Sequence, residues 1–196
     1  MPPTWTLLGS KVLQDCSVFT VKADRYRSPR TGQAHDFYRI ESPDWVNIIP
    51  LTPDGKIILV KQFRFGTKDF SLEIPGGMLE PEELPESAAC RELLEETGYG
   101  GDEPILLGTV QPNPAIQTNR CTTYLIENCT HRAEIRQDST EEITEVQRVP
   151  LAAIPGLIRD GKITHALVIA AFYWFFSREF AAGREKDKKK DSSEAA

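Results

Sequence analysis

The 196-residue sequence has no membrane-length apolar run and no cysteine pair at metal-binding spacing, and no signal peptide is predicted in its first residues. Its longest apolar run, ALVIAAFYWFF, has eleven residues, whereas a membrane-spanning helix needs about 20. The four cysteines are widely spaced, without a CxxC pair or a histidine at zinc spacing, so we expect reduced and mostly buried thiols. These absences predict a cytoplasmic protein with no membrane partner.

Positive charge is also scarce, because 23 Lys and Arg residues face 29 Asp and Glu residues, for a net charge of −6. An acidic balance argues against non-specific affinity for nucleic acid, and we expect no nucleic-acid partner. A phosphorylated substrate would need a local cluster of positive charge and a metal ion. The length and the 40% hydrophobic content fit a globular protein with one main domain.

The pattern along the chain predicts a mixed α/β fold. Three strand-like runs with little apolar content fill residues 1–45, and the next two runs predict a hairpin with its turn at 52–55. Two later strands are predicted on either side of a polar loop, and a third strand follows them. Helices are expected within 85–97, 151–161 and 163–180. We predict three segments: an N-terminal β segment at 1–45, an α/β domain at 46–181, and a disordered charged tail at 182–196.

The stretch GGMLEPEELPESAACRELLEETGY, residues 76–99, is unusually rich in glutamate. Pro85 suits the first turn of a helix and Gly98 suits its end. Near that end stand Glu92, Glu95 and Glu96. Like charges at these spacings cost about 0.2–0.5 kcal/mol per pair, and the negative end of the helix dipole adds about 0.3–1 kcal/mol each. A divalent cation, Mg²⁺ or Mn²⁺, would compensate such a cluster; the competing interpretation is a solvated face.

The other side of this helix is predicted to be its core face, formed by Cys90, Leu93, Leu94 and Thr97. Arg91 is the basic residue nearest the acidic cluster, and we expect it to point away from the centre of that cluster. The preceding EIPGG ends a strand-like run in two glycines, which let backbone carbonyls approach a ligand or a metal.

From Gly77 to Tyr99 the sequence resembles the Nudix box, G-x5-E-x7-R-E-U-x-E-E-x-G-U, with every fixed position filled. The resemblance extends from about Trp45 to the long C-terminal helix. It implies an α/β/α sandwich with a mixed sheet, here preceded by a small antiparallel N-terminal β segment. It also implies a metal-dependent pyrophosphatase. Two positions depart from the family pattern: Glu82 stands where many members have Gly, and Leu84 where a capping Ser is common.

The resemblance implies roles by position. The metal ligands would be the Glu92, Glu95 and Glu96 carboxylates and the carbonyl of Gly76. Arg91 would pair with Glu83 and hold the loop against the helix. Glu73 would assist the site through a water or a second metal. The general base would be a glutamate of a later loop, for which DSTEEITEVQRV offers Glu141, Glu142 and Glu145; we predict Glu142.

Within the family, LVKQFRFG followed by LEIPGGMLE is similar to the ADP-ribose pyrophosphatase and nucleoside diphosphate sugar hydrolase branch. Pro114 is similar to a proline marker of ADP-ribose hydrolysers, although QPNPAIQTNR departs from the more usual Ser-Pro-Gly form of that loop. The predicted reaction is hydrolysis of the diphosphate bond of ADP-ribose or a related sugar nucleotide, giving a nucleoside monophosphate and a sugar phosphate. The alternatives are a GDP-mannose-type hydrolase and a non-catalytic nucleotide-binding module.

Further residues are candidates for substrate binding. Arg64 is the predicted phosphate clamp, because a guanidinium offers bidentate donors; a surface arginine is the alternative. Weaker candidates for the same role are Arg39 and Arg120. The aromatic candidates for base recognition are Trp45, Phe37 and Tyr38. His165, at the start of a helix, is predicted to be structural.

The N-terminal strands predict the assembly. Two or three lightly apolar strands are marginal in water without a packing surface. Members of the resembled branch pair through such segments and exchange strands. We therefore predict a two-fold homodimer in which residues 1–45 build much of the interface, with aromatic residues of that segment against the nucleotide base, in the same subunit or across the interface.

Overall fold

A computed structural model of the chain describes residues 4–136 and 143–178. The chain divides into two compact units, the first comprising residues up to Asp44 together with Gln111–Arg120, and the second comprising Trp45–Val110 and the chain from Cys121 onwards. The predicted disordered tail at 182–196 lies outside the described residues.

The first unit is built on an antiparallel sheet in the order β1-β2-β3. Its strands are β1 (Thr6–Asp15), β2 (Thr20–Arg27) and β3 (Ala34–Glu41), as the three strand-like runs predicted. Segment 111–120 attaches to β3 through Ile40, whose N–H donates to the carbonyl of Ile116 at 2.7 Å. All ten residues of β1 are exposed, so this strand has a face with no partner within the described chain.

The second unit contains a mixed sheet, an antiparallel sheet, a two-stranded pair and the helices. Its elements are β4 (Trp45–Pro50), β5 (Lys56–Arg64), β6 (Asp69–Glu73), β7 (Gly76–Met78), α1 (Pro85–Thr97), β8 (Tyr99–Gly100), β9 (Ile105–Val110), β10 (Cys121–Ile126), β11 (Thr130–His131), β12 (Ile143–Pro150), a 3-10 turn (Leu151–Ala153) and α2 (Ile154–Arg159). A further helix, α3, is described over 166–178. The sheets have the orders β7-β4-β10-β9, β12-β5-β6 and β11-β8, and β4 and β10 run parallel.

The hydrophobic core lies on both sides of β4 and β10. Ile49 and Leu125 join a buried cluster with residues of α2 and α3. Their neighbours Ile48 and Ile126 join a second cluster with Leu93 of α1. Since successive strand residues point to opposite faces of a sheet, the helices cover the two faces of the mixed sheet. The α/β/α sandwich is confirmed.

One predicted feature of the strands is wrong. The turn between β4 and β5 forms as expected, with Gly55 at a φ of 74° and the Thr52 N–H donating to the carbonyl of Lys56 at 2.8 Å. The two strands are not a hairpin, however, because they belong to different sheets and meet only at a bridge between Leu51 and Ile57. Instead, β4 pairs with β7 and β10, and β5 pairs with β6 and β12.

The cysteines are free thiols, as expected, but only two of them are buried. Cys121 and Cys129 are buried, Cys16 is partly exposed and Cys90 is exposed. Desolvation raises the pKa of the Cys129 thiol to about 12, so this thiol is inert near neutral pH. Among the described helices, none is both long and apolar enough to cross a membrane.

Candidate active site

Helix α1 begins and ends where the sequence predicts. Pro85 occupies its first turn, and Gly98 at its end has a φ of 74° and donates its N–H to the carbonyl of Leu94 at 2.8 Å. The start of the helix is irregular. Leu84 provides no side-chain cap, and Glu82 adopts the left-handed conformation with a φ of 64°, which usually costs a non-glycine residue free energy. These are the two positions that depart from the Nudix pattern.

An arginine of α1 holds the preceding loop. The Nε and Nη2 groups of Arg91 each donate to the Glu83 carboxylate at 2.9 Å, and Nη2 also donates to the carbonyl of Met78 at 3.2 Å. The Arg91 hydrogen bonds lower the pKa of Glu83, and those same bonds raise the pKa of Arg91. The contact that the resemblance implies is therefore present, with both groups charged.

Arg91 also faces the acidic cluster, contrary to the expectation that it points away. Its Nη1 group donates to Glu92 at 2.9 Å and to Glu95 at 3.1 Å. The arginine thus neutralises part of the charge that makes the cluster unfavourable. The side chain of Arg91 is long enough to reach both the preceding loop and the next turn of its own helix, so its direction does not follow from its position on the helix.

The buried face of α1 differs from the predicted one. Cys90 and Leu94 are exposed, and the buried residues are Ala88, Ala89, Glu92, Leu93, Glu96 and Thr97. The face is rotated because two carboxylates turn inward, towards the loop that precedes the helix. A purely hydrophobic periodicity cannot anticipate carboxylates on the buried side.

These inward carboxylates lie against the two glycines. The Glu92 side chain occupies the space that a Cβ at Gly77 would need. Glu96, only 1% exposed, accepts a hydrogen bond from the N–H of Gly76 at 3.0 Å. Any side chain at Gly76 would overlap with β4, at the carbonyl of Val46. The glycines are therefore required by close packing of β7 against β4 and α1.

The donor set suits a hard divalent cation. Glu92, Glu95 and Glu96 supply carboxylate oxygens beside the backbone of β7, and carboxylate and carbonyl oxygens are the ligands of Mg²⁺ and Mn²⁺ sites. Within residues 4–136 and 143–178, no three acidic, histidine or cysteine side chains converge on one point as the structure stands. Arg91 instead holds two of the three carboxylates.

A second charged pair lies at the ends of β5 and β6. Arg64 donates through Nε and Nη2 to the two oxygens of Glu73, each at 2.8 Å. Burial raises the pKa of Glu73, but the hydrogen bonds and the charge of Arg64 outweigh it, so the pKa lies below its usual value. The predicted phosphate clamp is therefore already bound to an acid, while its side chain remains 42% exposed.

Two polar residues that were not assigned to the site from the sequence, His165 and Asn47, contact the first turn of α3. His165 accepts the N–H of Leu167 at Nδ1, at 3.2 Å, and its Nε2 lies 3.9 Å from the Glu73 carboxylate. Asn47 donates to the carbonyl of Leu167 at 3.3 Å and pairs with Gly76 across β4 and β7. An amide inside the apolar run WVNIIP was the available signal for Asn47.

In the first unit, the predicted substrate-binding arginine is part of an ion-pair network. Arg39 donates to the buried Asp24 and, at 2.5 Å, to Glu41. A hydrogen bond from Ser10 is the largest cause that lowers the pKa of Asp24. Arg120 pairs with Asp44 at 3.1 Å.

A cavity of about 270 Å³ lies in this same unit. Its walls include four residues that the sequence suggested, namely Phe37, Tyr38, Arg39 and Pro114. The aromatic rings there are substantially exposed, at 46% for Phe37 and 63% for Tyr38. An exposed aromatic surface beside an arginine is suited to a nucleobase.

The remaining candidates stand apart from these clusters. Trp45 begins β4 and is half-buried. Glu145 is exposed on β12, opposite Lys61 of β5. Glu141 and the predicted base Glu142 lie outside the described residues.

Known proteins provide an independent comparison. Residues 42–172 match the family model described as the NUDIX domain. The chain is 31% identical over 148 residues to the ADP-ribose pyrophosphatase of Bacillus subtilis, covering 76% of this chain and 80% of that protein. It is 26% identical over 180 residues to the ADP compounds hydrolase NudE of Escherichia coli, covering 91% and 94%.

The fold is also similar to that of a solved protein. The crystal structure of an ADP compounds hydrolase superimposes with a TM-score of 0.78 at 24% identity, covering 92% of this chain and 95% of that one. With the complete motif from Gly77 to Tyr99 and a family model that spans residues 42–172, the chain belongs to the Nudix family.

Proposed function

We propose that this protein hydrolyses the diphosphate bond of ADP-ribose or a related nucleoside diphosphate sugar, giving a nucleoside monophosphate and a sugar phosphate. The observation that carries the proposal is the position of the Glu92 and Glu96 carboxylates against Gly76 and Gly77. The names of the two relatives, both hydrolases of ADP compounds, support the choice of substrate.

The cofactor would be Mg²⁺ or Mn²⁺, held by Glu92, Glu95, Glu96 and the carbonyl of Gly76. When bound, the metal would neutralise the diphosphate oxygens and lower the pKa of a coordinated water. The Arg91–Glu83 pair would keep the loop and the helix in register around this site. Turnover would require Arg91 to share the Glu92 and Glu95 carboxylates with the ion.

The other residues would position the substrate. Arg64 would contact a phosphate oxygen through the exposed part of its guanidinium, since planar donors match phosphate geometry. Glu142 would accept a proton from the attacking water, so that a new oxygen–phosphorus bond forms as the bridging oxygen leaves with the second phosphate. We further propose that the cavity of the first unit, with Phe37 and Tyr38, recognises the base.

We also propose that the protein is a cytoplasmic homodimer in which residues 1–45 build much of the interface. The exposed apolar side chains of β1 support this assembly, with Leu7 at 52% and Val12 at 55% exposure, because such a surface favours association. Four free thiols are in keeping with a reducing compartment.

The test is a substrate panel with product identification. ADP-ribose, other ADP-sugars, GDP-mannose and nucleoside triphosphates are incubated with and without Mg²⁺ or Mn²⁺, and EDTA provides the metal-free control. We expect metal-dependent release of AMP and ribose 5-phosphate from ADP-ribose. Preference for GDP-mannose would support the alternative sugar nucleotide. Cleavage of triphosphates alone, or tight binding of ADP-ribose without any turnover, would contradict the proposal.

A further inference from the structure

His165 presents one defined hydrogen-bonding group to Glu73. Its Nδ1 atom accepts the backbone N–H of Leu167 at 3.2 Å and therefore carries a lone pair. In a neutral imidazole the proton must then reside on Nε2. That Nε2–H faces the Oε2 oxygen of Glu73 at 3.9 Å, slightly beyond hydrogen-bonding distance.

The position of the imidazole is fixed by the first turn of α3. Asn47, on β4, donates its amide to the carbonyl of Leu167 at 3.3 Å, and His165 itself caps the same turn. Asn47 is 7% exposed, so this link lies within the core of the second unit. The approach of His165 to Glu73 is thus set by packed elements on both sides.

Glu73 Oε2 is also the oxygen that receives the Nη2 group of Arg64 at 2.8 Å. The Glu73 side chain is only 4% exposed, whereas that of Arg64 is 42% exposed. The Ser71 hydroxyl also interacts with Glu73, but a neutral hydroxyl is a weaker donor than a guanidinium. If Arg64 turns Nη2 towards a phosphate, this buried carboxylate therefore loses a charge-assisted hydrogen bond that water does not readily replace. A second hydrogen-bond donor that has to move only about 1 Å to reach Oε2 would remove this penalty.

We propose that His165 is a positioning residue that takes over Glu73 Oε2 when Arg64 engages a phosphate oxygen of the substrate. The Nε2–H of His165 closes on Oε2, the Nε group of Arg64 stays on Oε1, and no proton is transferred. His165 thereby lowers the cost of turning Arg64 to the diphosphate without touching the substrate. This inference rests on the proposed function, because it requires a phosphate-bearing ligand.

Two variants separate this role from helix capping. His165→Asn and His165→Ser both keep a side chain that caps helices well, but neither reaches Glu73. Affinity for ADP-ribose is measured by calorimetry without divalent metal, so that turnover does not interfere, and kcat and KM are measured with metal. We expect both variants to have melting temperatures close to that of the wild type. They should bind ADP-ribose about tenfold more weakly, which corresponds to one lost hydrogen bond. They should also raise KM by a larger factor than they lower kcat.

A double-mutant cycle supplies the decisive comparison. In an Arg64→Gln background, where no guanidinium leaves Glu73, we expect His165→Asn to have no further effect on affinity. An equally large effect in that background, or unchanged affinity in both single variants, would overturn the inference. If the wild type hydrolyses no diphosphate sugar but binds ADP-ribose with the expected His165 dependence, the proposed function fails while the positioning role stands.

Discussion

Arg64 and Glu73 form two parallel hydrogen bonds of 2.8 Å, one to each carboxylate oxygen. They are not directly opposite each other in the ladder, because Arg64 pairs with Asp69 and Glu73 pairs with Val60. The pair therefore crosses the β5–β6 ribbon diagonally. This geometry buries the acid and leaves part of the guanidinium exposed, so the same arginine can stabilise the fold and reach a ligand.

The Arg91–Glu83 pair predicts a pH dependence of stability. Because the folded-state pKa of Glu83 is lowered, the pair contributes stability near neutral pH, and this contribution is lost as the pH falls through the folded-state pKa. We expect Glu83→Gln to lower the free energy of unfolding at pH 7 and to flatten its decline below about pH 5. Urea unfolding at a series of pH values measures this, with Glu82→Gln as the control. Parallel pH profiles for Glu83→Gln and the wild type would contradict the prediction.

Glu95→Gln tests the metal site with little disturbance of the fold. Glu95 is 42% exposed and contacts Arg91 at i,i+4 spacing, a pair worth about 0.3–0.5 kcal/mol. We expect a melting temperature close to that of the wild type and a fall in kcat of about 100-fold or more, since a lost ligand removes several kcal/mol of charge stabilisation. Glu86→Gln, an exposed carboxylate in the first turn of the same helix, is the matched control. Full metal-dependent activity in Glu95→Gln would remove Glu95 from the ligand set.

The start of α1 offers a stabilising substitution. Leu84 is at the N-cap without a side-chain hydrogen bond and is 61% exposed, so little packing is lost on its removal. Leu84→Ser should increase the free energy of unfolding by about 1 kcal/mol. Thermal or urea unfolding measures the change, and Leu84→Ala serves as the control that shortens the side chain without adding a cap. Equal stabilities of the serine and alanine variants would show that the cap does not form.

The general base is tested by three glutamine variants, at Glu141, Glu142 and Glu145. We expect Glu142→Gln to lower kcat by about 100-fold, within the range for a lost general base, and to leave metal affinity nearly unchanged. Glu141→Gln and Glu145→Gln are the matched controls. Metal affinity measured by calorimetry separates a base from a ligand. If Glu145→Gln shows the large effect instead, the base lies on β12.

The exposed strand β1 makes the assembly testable. We expect size-exclusion chromatography with light scattering to give a dimer at micromolar concentration, and deletion of residues 1–40 to give a monomeric or insoluble protein with reduced substrate affinity. Polar substitution of Leu7 and Val12 provides a milder variant that keeps the sheet. A monomeric wild type would refute the proposed interface.

Much of the fold follows from local sequence patterns. The longer strands, the turn at Gly55 and both ends of α1 were predictable, because glycine, proline and side-chain alternation act over a few residues. The short strands β7, β8 and β11 were not predicted. The pairing of β4 with β10 was not predictable, since it joins segments more than 70 residues apart. The β4–β5 hairpin was therefore a reasonable but wrong prediction.

The candidate site was predictable in its residues but not in their orientation. The motif identified the glutamates of α1, yet hydrophobic periodicity put Cys90 and Leu94 inside and the acids outside. Arg91 was expected to avoid the cluster that it contacts. The approach of His165 to Glu73 brings together residues 92 positions apart, and only the packing of α3 against the sheet determines it.

Successive side chains of β4 and β10 point alternately into the two hydrophobic clusters. This alternation restricts where residues can be inserted or deleted. A one-residue insertion in β4 after Val46 would exchange Ile48 and Ile49 between the cluster under α1 and the cluster under α2 and α3. The same slip would move Asn47 from its place opposite Gly76. Packing on both faces and the pairing of β4 with β7 would thus fail together, so natural insertions and deletions in this protein should fall outside these two strands.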